Sequence, residues 1–421
     1  MSSKKNILIV CFSFPPFPGI GGRRWAKFAK YLANTNFNVH VLAAENSSSD
    51  ISEWNNDVRH ENIKVETFPL GNSKVLTFYP VNLKEKLIYK ILRIKASLFI
   101  KGNKQDKIYF IKDVLLDKAD QIIHKNKIDT LIVTLPPYKL SYYLLPLKKK
   151  YPHLKFIVDY RDPWTDNRSY HGFASISEKD LADEIEFEKE VLRTADVVLD
   201  VNEQSLSVLK NKTQSKAIFK HLPNGFDKND YLSLDFSRSQ KDEIHFVYTG
   251  SFYPNLIYLL EPIIHTLNKL RKTNNELYKK LRFDFYGNMD HQAIELLKRS
   301  DCDAIQFHGS VPQKEVLEKI SRADFCLLFA AADHSNVFNT KFYEYLYFKK
   351  PILFFGGKGD TSDFILNNKI GSVFSSDQIG TSFYDFLNSK NLTDFSMNTS
   401  VDNSPFDIET ISKTLISIIN A

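Results

Sequence analysis

The stretch "KFYEYLYFKKPILFF", residues 341–355, determines how the rest of the chain is interpreted. Its first half places Phe342, Tyr345 and Leu346 at helical spacing, and its second half is a short apolar run typical of a buried strand. A helix that leads directly into a buried strand is the unit from which parallel α/β sheets are built. The carboxylate of Glu344 interrupts the apolar part, which is unusual unless it has a function.

The same alternation of short apolar runs and helical stretches extends in both directions. The predicted strands are 6–12, 38–44, 128–137, 154–160 and 195–202 in the first half, and 244–250, 281–287, 304–309, 323–330, 350–355 and 371–375 in the second. We therefore predict an α/β fold of two facing Rossmann-like domains, each with a doubly wound parallel sheet.

The length of 421 residues exceeds what a single core usually supports and fits two domains. We predict a first domain at 1–225, a polar linker at 226–243, a second domain at 244–404, and a C-terminal helix at 405–421 that packs at the domain junction. The linker is predicted because that stretch has no regular apolar pattern.

Bulk composition limits the classes of partner and compartment. The net charge of +6 suits a phosphate-bearing partner or an anionic membrane as well as it suits plain solubility. Nucleic acid is not expected, because the basic residues accompany no recognised motif or stacking platform. The three cysteines, Cys11, Cys302 and Cys326, fit neither a metal site nor a disulfide framework. Without a signal peptide or a membrane-spanning run, a cytoplasmic location is expected.

Two loops of the first half are candidates for ligand contact. "GIGGRR" at 19–24 places glycines before a helix, where backbone N–H groups favour an anion; a flexible turn is the alternative. "VDYRDPW" at 158–164 gathers Asp159, Arg161, Asp162 and Trp164 at the carboxyl end of a strand. We interpret it as a polar cluster with an apolar plate facing the ligand cleft, and the alternative is an Arg–Asp pair that fixes a loop.

In the second half, three strands end in glycine and define a rim, at Gly250, Gly287 and Gly309. Ser251 and Val311 in the adjoining loops are further candidates for ligand contact.

The helix that follows offers Asn339 or Thr340 as its N-cap. Lys341 and Glu344 lie three residues apart on its surface, and an ion pair between them would be a sufficient structural explanation. The functional alternative is that Glu344 accepts two ribose hydroxyl hydrogen bonds while Lys341 contacts a diphosphate.

The chain resembles the GT-B glycosyltransferases, and most of all their family 4 group. The segments that carry the resemblance are "GIGG", "TLPPY", "DYRDPW", "LPNGFD", "YTGSFYPN" and "TKFYEYLYFKKPIL". The resemblance covers nearly the whole chain. It implies a nucleotide-diphosphate sugar bound mainly by the second domain and a glycan or lipid-linked acceptor bound mainly by the first. It further implies hexosyl transfer with retention of anomeric configuration, in the synthesis of a surface polysaccharide or glycolipid such as capsule or lipopolysaccharide.

Two positions depart from the family pattern. Glu344 matches the second acid of the Glu-x7-Glu motif, which holds the ribose, but the first acid is replaced by Asn336. The basic pair usual after "GS" in the second domain is missing from "GSFYPN". Neutralisation of the diphosphate is therefore assigned to Lys341, Arg24 or Arg23.

Backbone N–H groups of Gly21 and Gly22, together with Thr340, complete the predicted donor contacts. Asp162, with Arg161 beside it, is predicted to orient or deprotonate the acceptor hydroxyl. The chain has no Asp-x-Asp motif placed to hold a metal against a diphosphate, so neither a metal nor a cofactor is expected.

Two alternatives to sugar transfer stay open. A nucleotide-sugar 2-epimerase of the same fold would need acids and histidines for proton abstraction, and histidines are sparse in the candidate loops. A catalytically inactive sugar-nucleotide-binding subunit is suggested by Asn336 and the missing basic pair.

Residues 84–107 carry eight basic and two acidic side chains, a net charge of +6, together with apolar residues at helical spacing. A basic amphipathic helix of this kind can lie on an anionic membrane. The alternative is a core-facing helix with a solvated basic edge. We predict peripheral contact with the inner face of the cell membrane.

Overall fold

The computed structural model describes residues 4–46, 50–78, 80–166, 172–232, 242–331, 338–389, 392, 395 and 397–421. The chain divides into two compact units. The first contains the residues up to Pro223 together with Ile411–Ala421, and the second contains Asn224–Thr410. Lys155 donates a hydrogen bond from its ammonium to the carbonyl of Ile418 at 2.6 Å, which ties the C-terminal residues to the first unit.

The first unit is built on a seven-stranded parallel sheet with the order β3-β2-β1-β4-β5-β6-β7. Its strands are β1 Lys5–Val10, β2 Phe37–Ala44, β3 Ile63–Phe68, β4 Thr130–Leu135, β5 Lys155–Tyr160, β6 Val197–Asp200 and β7 Ile218–His221.

The second unit is built on a six-stranded parallel sheet with the order β10-β9-β8-β11-β12-β13. Its strands are β8 Ile244–Thr249, β9 Leu281–Tyr286, β10 Ile305–Gly309, β11 Phe325–Phe329, β12 Ile352–Gly356 and β13 Gly371–Ser375. Apolar side chains cover both faces of this sheet, as continuous apolar strands predict.

Helices connect most of the successive strands, and the last two helices follow β13. The helices are α1 Arg23–Ala33, α2 Leu83–Phe99, α3 Lys112–Asn126, α4 Lys139–Lys150, α5 Glu178–Thr194, α6 Glu203–Asn211, α7 Ile257–Thr273, α8 Asn275–Tyr278, α9 His291–Ser300, α10 Gln313–Arg322, α11 Thr340–Tyr347, α12 Asp360–Asn367, α13 Ile379–Asn388 and α14 Ile408–Asn420. The predicted α/β class with two doubly wound parallel sheets is confirmed.

Each sheet reverses its winding direction once. The chain runs from β1 outward to β3 and then returns to place β4 on the other side of β1, and β8 and β11 are neighbours in the same way. Ligands of open parallel sheets bind at the carboxyl ends of the strands beside such a reversal. The glycine loop after β1, the loop after β8 and the start of α11 after β11 therefore lie where a ligand is expected.

Two edge strands, β3 and β7, were not predicted. Most side chains of β3 and all those of β7 are partly or fully exposed, so these strands lack the continuous apolar run of the central strands. The predicted linker also begins inside the second unit. Phe226 and Tyr231 are buried in its core, and Phe226 exchanges backbone hydrogen bonds with Phe406 and Ile408.

The three cysteines are buried and unbridged. Burial raises the pKa of the Cys11 thiol to about 12 and also raises the pKa values of Cys302 and Cys326. Each thiol therefore serves as packing in the interior. Among the helices of the described ranges, none combines the length and apolarity needed to cross a bilayer.

Candidate functional site

At the carboxyl edge of the first sheet, Arg24 forms a buried ion pair with Asp159. The guanidinium donates to both carboxylate oxygens, at 3.2 and 2.9 Å, and also to the carbonyls of Leu222 and Pro223. Asp159 accepts further hydrogen bonds from the indole of Trp25 and the hydroxyl of Thr134. These contacts compensate the charge of Arg24 inside the first unit, and its contact with a diphosphate stays a prediction.

Arg161 fixes the loops around it through backbone carbonyls. Its guanidinium donates to the carbonyls of Leu135, Gly21 and Pro136 at 2.8, 2.6 and 3.2 Å. A Cβ on Gly21 would lie 3.7 Å from the Arg161 guanidinium, and a Cβ on the adjacent Gly22 would lie 3.2 Å from the Cα of Phe14. The structure thus brings Gly21, Gly22 and Arg161 together, and Arg161 positions the glycine loop.

Trp164 is fully buried rather than presented as an apolar plate to a ligand, which corrects the sequence interpretation. Its ring stacks on Tyr138 with centroids 5.6 Å apart, and its indole donates to Glu184 at 2.7 Å. The predicted polar cluster is divided as well, since Asp159 pairs with Arg24 instead of Arg161. Asp162 is half-buried immediately after β5 and its role toward an acceptor remains a prediction.

One further carboxylate at this edge was missed by the sequence analysis. Asp200 ends β6, is buried, and accepts hydrogen bonds from the Asn202 backbone and the Ser205 hydroxyl. Burial raises the pKa of Asp200 to about 7, and the charge of Asp159 on the neighbouring strand acts in the same direction. A single Asp at the end of an apolar run does not indicate from sequence whether its side chain is buried.

At the carboxyl edge of the second sheet, glycines join the ends of three neighbouring strands. The N–H of Gly250 donates to the carbonyl of Tyr286, and the N–H of Gly287 donates to the carbonyl of Gly309, both at 2.7 Å. Gly250 and Gly287 have φ values of 111° and 122°, which side chains with a Cβ rarely adopt. A Cβ on Gly287 would lie 2.5 Å from the Gly250 carbonyl oxygen, so the rim is closed to larger residues.

Lys341 lies directly over this rim. A Cβ on Gly250 would come within 2.1 Å of its Cε, so the lysine stem occupies the space that the glycine leaves. Its ammonium donates to the hydroxyl of Tyr248 at 3.2 Å and lies 4.8 Å from the centroid of that ring. Burial lowers the pKa of Lys341 to about 8, while the Glu344 carboxylate acts in the opposite direction.

Among the residues that the structure describes, the hydrogen-bond partner of Lys341 is therefore a phenol, and no carboxylate of these residues forms an ion pair with its ammonium. The Tyr248 hydroxyl donates a hydrogen bond to the carbonyl of Ser251 at 2.8 Å and can accept one from the ammonium at the same time. Nothing in the spacing of Tyr248 links it to a lysine 93 residues later, and the sequence analysis missed it.

Helix α11 carries Lys341 and Glu344 and begins as predicted. Asn339 is its N-cap and accepts a hydrogen bond from the Phe342 N–H at 3.1 Å. Phe342, Tyr345 and Leu346 are buried, and the Tyr345 hydroxyl reaches Thr249 at the end of β8. Glu344 lies in the second turn of the helix, where the helix dipole acts on it only weakly. It is half-buried and retains a route to solvent.

The other residues predicted to bind the donor are described by their position and burial. Thr340 is the first residue of α11, and Ser251 and Val311 are half-buried. Asn336 lies outside the described residues.

No family model matches the chain, and no curated protein matches its sequence. Solved structures match over 99% of its length. They include a sucrose-phosphate synthase from Thermosynechococcus elongatus (14% identity, TM-score 0.64, 98% of that chain covered), HepE from Anabaena in complex with UDP and glucose (12%, 0.61, 99%), and WaaG, a glycosyltransferase involved in lipopolysaccharide biosynthesis (12%, 0.62, 100%).

The same fold is found with another chemistry. A putative UDP-N-acetylglucosamine 2-epimerase from Listeria monocytogenes matches 99% of the chain and is covered over 96% of its own, at 10% identity and a TM-score of 0.57. At these identities the likeness establishes the fold alone, which is the GT-B fold with its two Rossmann-like domains.

Proposed function

We propose that this protein is a glycosyltransferase that moves a sugar from a nucleotide-diphosphate sugar to a glycan or lipid-linked acceptor. The observation that carries the proposal is the carboxyl edge of the second sheet, where Lys341 lies over a rim of glycines on the helix that also bears Glu344. A desolvated cation beside bare backbone is suited to a diphosphate. The shared fold with HepE, which was solved with UDP and glucose, supports a nucleotide-sugar donor.

The residues of this edge divide the work of donor binding. Glu344 accepts the two ribose hydroxyls, and Lys341 contacts the diphosphate. Gly250 leaves room for the Lys341 side chain, and Gly287 and Ser251 complete the rim beside the diphosphate. Cleavage of the anomeric C–O bond builds negative charge on the departing diphosphate, and the Lys341 ammonium stabilises that charge as it develops.

Asp162 orients or deprotonates the acceptor hydroxyl at the first edge. Transfer retains the anomeric configuration and needs no metal, so activity is expected to persist in EDTA. The biological role is the synthesis of a surface polysaccharide or glycolipid, as for WaaG.

A thermal-shift screen with UDP-, GDP-, ADP- and CMP-linked sugars tests donor binding, since a ligand that binds the folded state raises its melting temperature. We expect one nucleotide class to give a clear shift that Glu344→Ala abolishes. Asp162→Ala should keep the shift and lose transfer to the acceptor. Equal donor binding by Glu344→Ala and the parent would mean that the donor site has been misplaced.

The second candidate is a nucleotide-sugar 2-epimerase, favoured by the Listeria neighbour. Incubation with donor alone separates the two functions. An epimerase converts the sugar without an acceptor, whereas a transferase leaves it intact apart from slow hydrolysis. A donor shift without either reaction would identify a catalytically inactive binding subunit.

A further inference from the structure

Helix α2 exposes a continuous apolar stripe. Leu83, Leu87, Ile91, Ile94 and Leu98 are between 43% and 85% exposed. They are separated by four, four, three and four residues, so they lie on one face of the helix along its whole length. Soluble proteins rarely expose a contiguous apolar patch of this size without a partner for it.

The opposite face of α2 fixes this orientation. Ala96 is buried, and Arg93 donates from its guanidinium to the carbonyl of Lys104 at 3.2 Å. Glu85 forms an ion pair with Lys74 at 3.3 Å and accepts the N–H of Val81 at 2.9 Å. The helix is therefore held by its polar inner contacts, and the apolar stripe faces solvent.

Lysines flank the stripe on both sides. At about 3.6 residues per turn, Lys84 and Lys95 lie along one edge of the stripe, and Lys86 and Lys90 lie along the other. All four are exposed. An apolar stripe between two rows of lysines matches a bilayer surface, in which acyl chains lie beneath anionic headgroups.

We propose that α2 docks on an anionic membrane, with the stripe from Leu83 to Leu98 immersed at the acyl boundary and the four lysines at the headgroups. Within the basic segment 84–107, the proposal assigns the contact to the outward face of the helix. Docking of α2 on a membrane does not depend on the proposed function. A preference for a lipid-linked acceptor over a soluble one would require both membrane docking and the proposed sugar transfer.

Flotation of the full chain with vesicles tests the proposal. The chain should float with vesicles that contain phosphatidylserine and much less with phosphatidylcholine alone. The double variant Leu87→Asp/Ile94→Asp should lose binding more than tenfold. Each of Lys86→Gln and Lys90→Gln should lower binding to anionic vesicles about fivefold. Val208→Asp, an exposed apolar residue on α6 of the same unit, is the matched control and should bind as the parent does.

The proposal is wrong if the parent does not bind anionic vesicles, or if the Leu87→Asp/Ile94→Asp variant binds them equally well. It is also wrong if light scattering shows that the parent is a dimer and the double variant a monomer, while neither protein binds vesicles. That result would assign the stripe to a second copy of the chain. Unchanged melting temperatures of the variants show that they fold. Vesicle binding is measured without nucleotide sugar, so its failure is distinct from a failure of donor binding.

Discussion

The two sheets end in loops of similar composition, with glycines beside basic side chains, but the basic side chains have different partners. In the first unit, Arg24 is held by Asp159 and Arg161 by three backbone carbonyls. In the second, Lys341 has a tyrosine hydroxyl as its hydrogen-bond partner. A cation beside a glycine loop is therefore a better candidate for anion binding where the described residues place no carboxylate against it. The local sequence does not report that difference.

The largest expected effect tests the structural role of the first edge. Arg24→Met leaves the fully buried Asp159 carboxylate without its cation, and we expect a loss of about 3–5 kcal/mol in the free energy of unfolding. Urea denaturation measures it. Arg59→Met, at an exposed arginine of the same unit, should change stability by less than about 0.5 kcal/mol. A similarly small loss for Arg24→Met would remove the contrast between the two edges.

The converse test concerns the second edge. Lys341→Met should weaken binding of the nucleotide-sugar donor by about 1.5–3 kcal/mol, on the order of tenfold to a hundredfold, because a charge-assisted contact to the diphosphate is lost. Calorimetric titration measures the dissociation constant. Lys298→Met replaces an exposed lysine of the same unit and should leave it unchanged. If both variants bind alike, Lys341 does not contact the donor.

The pH dependence of donor binding sharpens this test. The protonated form of Lys341 binds the diphosphate, and its pKa in the free protein is about 8. Donor affinity should therefore be full below pH 8 and should decline as the pH rises through that value. The decline should be absent in Lys341→Met. A flat profile in the parent up to about pH 10, near the ordinary lysine pKa, would contradict the assignment.

Two glycines of the same rim separate backbone strain from the clash with Lys341. Gly250→Ala combines a φ of 111° with a contact to the lysine, and should cost about 1–3 kcal/mol of stability as well as donor affinity. Gly309 has a φ of 71° with open space around it, so Gly309→Ala should cost about 1 kcal/mol and leave donor affinity intact. Equal donor affinity in the two variants would show that Gly250 does not position Lys341.

The smallest effect concerns a charge cluster of the second sheet. The His308 ring lies 2.7 Å from Asp284, and His245 lies 3.7 Å from it. Burial alone would raise the pKa of Asp284, but the two histidines lower it, and Asp284 raises the pKa of His245.

The histidine contribution is present below pH 6.5 and is lost as the pH rises through the raised pKa of His245. The aspartate contribution is lost as the pH falls through the lowered pKa of Asp284. Chemical denaturation across pH should therefore show a contribution of about 0.5 kcal/mol that is greatest in mild acid and is absent in His245→Gln. An unchanged profile in that variant would exclude the cluster as its source.

The sequence predicted the central strands well, because strands buried on both faces are continuous apolar runs. The segment 281–287 became β9 at Leu281–Tyr286, and 371–375 became β13 without change. The edge strands β3 and β7 were missed because strands with exposed side chains need no such run. The pattern of apolar residues indicates which side chains are buried. It therefore does not predict a strand that is held in the sheet by backbone hydrogen bonds while its side chains are exposed.

The backbone elements of the candidate site were predictable from the sequence, but the partners of its side chains were not. Strand ends followed by glycine identified Gly250 and Gly287, and the N-cap Asn339 identified the start of α11. Two contacts depend on how segments distant in sequence pack together. They are the ion pair of Arg24 with Asp159 and the hydrogen bond of Lys341 to Tyr248. Trp164 shows the same limit, since its position after a strand suggested exposure while its indole is paired with Glu184 in the interior.

The burial of all three cysteines has a practical consequence for spectroscopy. Their raised pKa values and lack of access make Cys11, Cys302 and Cys326 poor targets for thiol-reactive dyes in the native state. One new cysteine can therefore be labelled selectively without removing the others. At Ser97, an exposed position of α2, an environment-sensitive fluorophore would report by its emission colour whether the helix meets hydrocarbon or water.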